Sequence, residues 1–182
     1  MGWARTCQAG CRIQGAGCDA VIILGVDPGL AITGFGVVRV ENNRHTVLGY
    51  GAVRTSAKET TAQRLETIYR ELSKLIAEFK PDCLAVEELF FNRNASTALA
   101  VGQARGVAIL AGSHAGLPVF EYTPLQVKTA VTGYGRADKE QVAYMVCMLL
   151  GLPSAPQPDD VTDALAICLC HGYNANDWGR GR

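Results

Sequence analysis

Residues 21–29 read VIILGVDPG, and the fold turns on this stretch. Val21 to Val26 is a short apolar run rich in β-branched residues, and Asp27-Pro28-Gly29 stops it. Such a run is a buried strand that ends on a carboxylate, although Asp-Pro-Gly taken alone also suits a plain turn. Immediately downstream, ITGFGVVRV (32–40) and HTVLGYGAVRT (45–55) flank the polar cluster Glu41-Asn42-Asn43-Arg44. Two β-rich segments around a polar turn predict an antiparallel meander of three strands. The glycines within both segments leave room for another element to approach the backbone. Upstream, MGWARTCQAGCRIQGAGC has no uninterrupted apolar core and reads as a flexible extension over residues 1–20, not a secretory signal.

Further along, Leu65, Ile68, Leu72, Leu75, Ile76 and Phe79 recur every three or four residues, which predicts an amphipathic helix between Thr60 and Phe79, ended by Pro81. Cys83-Leu84-Ala85-Val86 then runs into Glu87-Glu88, a second buried strand finishing in carboxylates. Asn94 can cap a helix from Ala95 to about Gly112 that is apolar around most of its circumference. In a small domain one side of it can lie on the sheet and the remainder can meet another subunit. VFEY (119–122) reads as a strand, PLQVKTAV (124–131) as a helix with proline in its first turn, GYGRA (133–137) as a link, and Asp138 to Leu150 as a helix. After a proline-rich loop, Asp159 to Asp163 opens a last helix through DALAICLCHG, and the tail at 174–182 is expected to be loosely ordered.

Composition bounds what such a chain can be. Of 182 residues 48% are hydrophobic, enough for one well-buried core over residues 21–173 and too few residues for two full domains. The 17 basic and 17 acidic residues balance, so binding to nucleic acid requires local asymmetry. Every apolar stretch is broken well short of a membrane span. Seven cysteines, three of them in the extension at a spacing without C-x2-C pairs, fit a reduced cytoplasmic protein better than a zinc site or a disulfide framework.

Four acidic residues interrupt or end apolar segments: Asp27, Glu87, Asp160 and Asp163. Parallel neighbouring strands would set Asp27 beside Glu87, while Asp160 and Asp163, three apart, share a helix face. If that helix crosses the strand ends, the four carboxylates converge. Two unit charges ~4 Å apart repel by about 4 kcal/mol at an effective dielectric near 20, so protons or cations must compensate. Oxygen ligands favour Mg2+ or Mn2+, and two such ions can hydrolyse a phosphodiester. Each residue alone also has a plainer role: Asp159 or Asp160 as a helix cap, Glu87 or Glu88 as a solvated strand end.

LGVDPG (24–29), AVEELFF (85–91) ahead of N-x3-A-L-x2-GQARGVA (94–108), VFEY-x4-VK (119–128) and D-x2-D-A-L-A (160–166) resemble, in this order, the RuvC family of Holliday-junction resolvases. The resemblance spans about residues 21–173. It implies an α/β, ribonuclease H-like fold, a mixed five-stranded sheet flanked by helices on both faces. It also implies that Asp27, Glu87, Asp160 and Asp163 bind two Mg2+ per subunit, with Mn2+ able to substitute. The D-x2-D spacing selects Asp160 over Asp159. Lys128 and Lys139 match basic residues near the scissile DNA, and Phe90 matches an aromatic that stacks on or wedges apart junction bases. Independently, residues 89–139 hold Arg93, Arg105, Lys128, Arg136 and Lys139 against Glu121 and Asp138, an excess of three positive charges suited to phosphates.

The activity so implied is that of a homodimer making paired symmetric nicks in a four-way DNA junction, with a 5′-phosphate and a 3′-hydroxyl left, in recombination and repair, alongside the RuvA–RuvB branch-migration complex. Two other classes stay open on the residues alone: a phosphate-cradling ATPase, whose fold needs a second lobe, and a non-catalytic DNA-binding protein.

Overall fold

The computed structural model describes residues 20–88 and 95–178, with side chains from 98 to 174 in the second stretch. Phe90 and Arg93 lie outside the described residues, as does the extension up to residue 19. The meander forms as expected: β1 (Val21–Asp27), β2 (Ile32–Glu41) and β3 (Arg44–Arg54) pair antiparallel. Asn42 and Asn43 both take positive φ, 50° and 63°, the backbone that a two-residue hairpin between Glu41 and Arg44 requires.

Helix α1 (Thr61–Phe79) starts on a capping box in which Thr60 and Gln63 exchange side-chain and backbone bonds, and Lys80 closes it in the left-handed conformation ahead of Pro81. Then follow β4 (Cys83–Glu87), α2 (Ala95–His114), β5 (Val119–Tyr122), α3 (Pro124–Thr132), α4 (Lys139–Leu150) and α5 (Asp159–Trp178). Strands β1, β4 and β5 run parallel, and the sheet order is β3-β2-β1-β4-β5. This is the mixed five-stranded sheet that the resemblance implies.

One core layer lies under α1 and α2 and contains Leu24, Val26, Val37, Ile68, Leu72 and Leu84. The other lies under α3, α4 and α5, around Ile23, Val38, Val146, Leu165 and Leu169. Helix α5 lies almost on the sheet backbone. A Cβ on Gly25 would overlap the Ala164 carbonyl and the Cys168 sulfur, and one on Gly34 would overlap the Asp160 carbonyl. These are close approaches of the kind the strand glycines foreshadowed.

Helix α5 also continues past the expected stop and carries part of the tail, to Trp178, in helical form. Gly172 does not terminate it, because that glycine serves packing: a Cβ there would lie 2.7 Å from His45 Nε2 and 3.1 Å from Val40 Cγ2. Two residues later, Asn174 donates from its side chain to the Cys170 carbonyl at 2.8 Å. Among the described residues no helix is long and apolar enough to cross a membrane.

Candidate active site

The parallel register of β1 and β4 pairs Ile23 with Cys83 and Val26 with Val86, so one further step sets Asp27 beside Glu87 at the carboxyl edge of the sheet. On the other side of β1, Asp27 pairs with Gly34. Because Gly34 has no side chain, the first turn of α5 rests on β2 at that point and delivers Asp160 and Asp163 to the same edge. Elements from the start, middle and end of the chain thus meet at one place.

The turn after Asp27 is tied down. Thr33, fully buried, donates its hydroxyl to the Gly29 carbonyl at 2.7 Å, and the Thr55 hydroxyl donates to the Leu30 carbonyl at 2.6 Å. Arg64 on α1 in turn donates to that Thr55 oxygen at 2.8 Å. The loop before α5 is held likewise by the buried Thr162, which donates to the Pro156 carbonyl at 3.1 Å.

The four carboxylates share one electrostatic environment. Burial, then the charges of Glu87, Asp163 and Asp160, push Asp27 up to about 8. Glu87 is raised by burial and by Asp163. Asp163 is raised by burial and by Asp160 and Asp159, against the pull of Lys139. A carboxyl that stays protonated to near neutrality marks a place where negative charge lacks compensation.

Part of that compensation comes from a residue distant in sequence. Lys139, at the start of α4, puts Nζ 3.5 Å from Asp163 Oδ2 and 3.8 Å from Asp159 Oδ2, and the acidic neighbours raise it above the ordinary lysine range, Asp163 most of all. Lys128 on α3 is close enough for its charge to stabilise ionised Glu87. A cavity of about 370 Å³ beside them is lined by Lys139, Asp159, Thr162 and Asp163. Among the described residues no three potential ligands are gathered at coordination distance. The donor set nonetheless fits a hard divalent cation, since it is all oxygen, partly buried and under-neutralised.

The other basic residues divide. Arg136 stands exposed in the link between α3 and α4. Arg105, expected to face DNA, is instead turned inward: its side chain is only 17% exposed, its Nε donates to the Glu87 carbonyl at 3.0 Å, and its Nη2 pairs with Glu121. A count of charges along the sequence has no means of distinguishing a free guanidinium from one already paired across two strands.

Sequence reading also missed a buried polar cluster behind the site. The Tyr122 hydroxyl meets His171 Nδ1 at 2.7 Å, and Cys83 Sγ meets His171 Nε2 at 3.2 Å, which links β5, β4 and α5. Burial lowers His171 to about 4, so the ring is neutral and joins these groups as an uncharged hydrogen-bonding node. The only sequence signal was a histidine, His171, inside an apolar helix run.

Known proteins resemble the chain over most of its length. Residues 23–171 match the family model described as crossover junction endodeoxyribonuclease RuvC. The chain is 56% identical over 156 residues to the crossover junction endodeoxyribonuclease RuvC of Alkaliphilus oremlandii, covering 86% of this chain and 95% of that one. With the protein of the same description from Ruminiclostridium cellulolyticum it is 57% identical over 152 residues, 84% of this chain and 92% of the other. The solved structure of T. thermophilus RuvC in complex with Holliday junction substrate superposes with a TM-score of 0.83 at 40% identity, covering 87% of this chain and 96% of that one. A family match across most of the chain, with the site's four carboxylates inside its limits, makes the chain a member of the RuvC family of crossover junction endodeoxyribonucleases.

Proposed function

We propose that this chain resolves Holliday junctions as a homodimer, hydrolysing one phosphodiester per subunit in strands of like polarity and leaving 5′-phosphate and 3′-hydroxyl ends. The observation that carries the reading is the meeting of β1, β4 and the first turn of α5 at one sheet edge, where Asp27 is buried and Glu87, Asp163 and Asp160 all act on it. Asp27, Glu87, Asp160 and Asp163 would hold two Mg2+, or Mn2+ in their place, and the metal would supply a nucleophilic water and charge stabilisation for the leaving oxygen.

The remaining work belongs to side chains of this protein. Asp27 must give up its proton for the site to load, which ties loading to pH. Lys139, paired with Asp163, keeps the site from full repulsion in the free protein and, being 70% exposed, can turn its ammonium toward a phosphate. Lys128 and Arg136 extend the positive surface along α3 and the link, to hold the backbone of the DNA without reading its sequence. Phe90 and Arg93, outside the described residues, complete the DNA-contacting set in this reading.

The exposed face of α2 supports the dimer. Its Leu99, Gln103, Gly106 and Leu110 fall on one face, and Leu99 and Leu110 are 66% and 56% exposed. Two leucines flanking a glycine suit a second copy of the same helix, and a two-fold dimer presents two sites to a pseudo-symmetric junction. The same reading puts the enzyme in the cytoplasm and makes the RuvA–RuvB branch-migration complex its partner.

The test is incubation of synthetic four-way junctions with Mg2+ and either the wild type or Asp27→Asn. Paired nicks by the wild type, with cleavage by Asp27→Asn, Asp160→Asn or Asp163→Asn abolished and junction binding kept, are expected. Equal cleavage by wild type and Asp27→Asn would remove the assignment, and ATP turnover in place of cleavage would point to a different enzyme.

A further inference from the structure

The Arg105 guanidinium joins three elements at one point. It leaves α2, donates from Nε to the Glu87 carbonyl at 3.0 Å, and pairs through Nη2 with Glu121. Glu121 belongs to β5, where it pairs with Val86, and the next residue, Tyr122, accepts from the Glu88 N–H at 2.8 Å. Glu87 is the last residue of β4. Its carbonyl therefore sits where the chain departs from the sheet, and whatever fixes that carbonyl fixes the direction in which the Glu87 side chain leaves the backbone.

We propose that Arg105 and Glu121 act as a positioning pair that holds the end of β4 so that the Glu87 carboxylate faces Asp27, Asp160 and Asp163. A planar guanidinium can serve a carbonyl and a carboxylate at once in a fixed fork, which an ammonium on a flexible stem does not reproduce. A cation at 17% exposure needs a counter-charge, and Glu121 provides it, so the positive charge of Arg105 is already matched before DNA arrives. Its influence on Glu87 runs through the backbone. The inference rests on the reading of the four carboxylates as a metal site and deepens it by naming what sets the geometry of one ligand.

The experiment compares wild type with R105A, R105K and E121Q. Three quantities are measured: Mn2+ binding to the DNA-free protein by electron paramagnetic resonance, junction affinity against salt without divalent metal, and cleavage rate against Mn2+ concentration. For R105A, Mn2+ binding should weaken about 10- to 100-fold, as for other residues that orient a metal ligand. Cleavage at low Mn2+ should fall with it and recover in part at high Mn2+. The slope of log affinity against log salt should stay at the wild-type value. R105K and E121Q should fall between, and they carry the test if R105A does not fold.

Unchanged Mn2+ binding in the folded variants would overturn the proposal. So would a salt slope reduced by about one, which would make Arg105 a phosphate ligand. The Mn2+ measurement needs no DNA, so a wild type that binds Mn2+ but cuts no junction sinks the resolvase reading alone. An active wild type whose variants bind Mn2+ normally sinks only the positioning pair.

Discussion

Helices α2 and α5 are both 20 residues long and both mainly apolar, yet the fold uses them in opposite ways. Helix α5 is enclosed through its middle: Ala164 to Gly172 are all buried, between β1 and β2 beneath and α3 and α4 alongside. From residue 98 on, where its side chains are described, helix α2 buries Ala104, Ala108, Ala111 and Gly112 against α1 and β4, and leaves two leucines in solvent. Apolar content therefore measures how much surface must be covered but not by what. The place of the element in the layers decides that, and among the described residues the outer face of α2 is where the proposed second copy would pack.

The sharpest way to break the comparison is to remove core volume. Leu165→Ala in α5, at a fully buried position, should cost about 2–5 kcal/mol in denaturant unfolding, whereas Leu110→Ala in α2 should change the stability of the chain by less than about 0.5 kcal/mol. Similar losses from the two would mean that α2 is as enclosed as α5.

Next in size is Gly34→Val, which forces α5 away from β2 at Asp160. Overpacking of this kind should cost about 1–3 kcal/mol. Displacement of two carboxylates should lower single-turnover cleavage at least about 100-fold, because misplacement by an ångström is enough. Cleavage at the wild-type rate would show that α5 need not touch the strand to complete the site.

The sheet edge that α5 covers adds a pH dependence centred on Asp27 of β1, raised by burial first and then by Glu87, Asp163 and Asp160. In the metal-free folded chain Asp27 keeps its proton until about pH 8, while in the unfolded chain it releases it near 3.8. Between those limits the folded state binds more protons, so stability is full at the acid end and falls as pH rises toward 8, by at most about 1.4 kcal/mol per pH unit. Unfolding midpoints from pH 5 to 8.5 should show this slope, and Asp27→Asn should remove the largest share of it. An unaltered slope in that variant would place the titration elsewhere.

The smallest effect on folding belongs to the face of α2. Leu99→Glu and Leu110→Glu should leave the stability of the monomer, measured dilute enough for the wild type to dissociate, within about 0.5 kcal/mol. Sedimentation at micromolar concentration should nonetheless turn from dimer to monomer. A wild type that sediments as a monomer would remove the interface.

Sequence reading succeeded where local chemistry has a fixed period or a fixed stop. The three- and four-residue spacing of α1, the Asn-Asn turn, the proline in the first turn of α3 and the strand ends at Asp27 and Glu87 were all visible, because neighbours along the chain determine them. Convergence of the carboxylates could be stated as a condition, parallel strands and a crossing helix, and β1, β4 and α5 meet it. The mixed five-stranded sheet came from resemblance, and the order of its strands was not read at all, since pairing between distant segments leaves no periodic trace.

What sequence reading did not reach depends on contacts across long separations. Lys139 lies 24 residues before Asp163, Arg105 closes on Glu121 and the Glu87 carbonyl, and His171 gathers groups from two strands. Gly172 carried a misleading signal, because a glycine late in a helix reads as a stop until the side chain packed against it is seen.

That α5 follows all five strands in the chain bears on synthesis. A ribosome completes β1 through β5 before it makes the segment that covers one face of their sheet and brings Asp160 and Asp163. A nascent or truncated polypeptide lacking α5 has neither that half of its core nor half of its acidic cluster. Until α5 is made, the proposed site therefore has only two of its four carboxylates, Asp27 and Glu87.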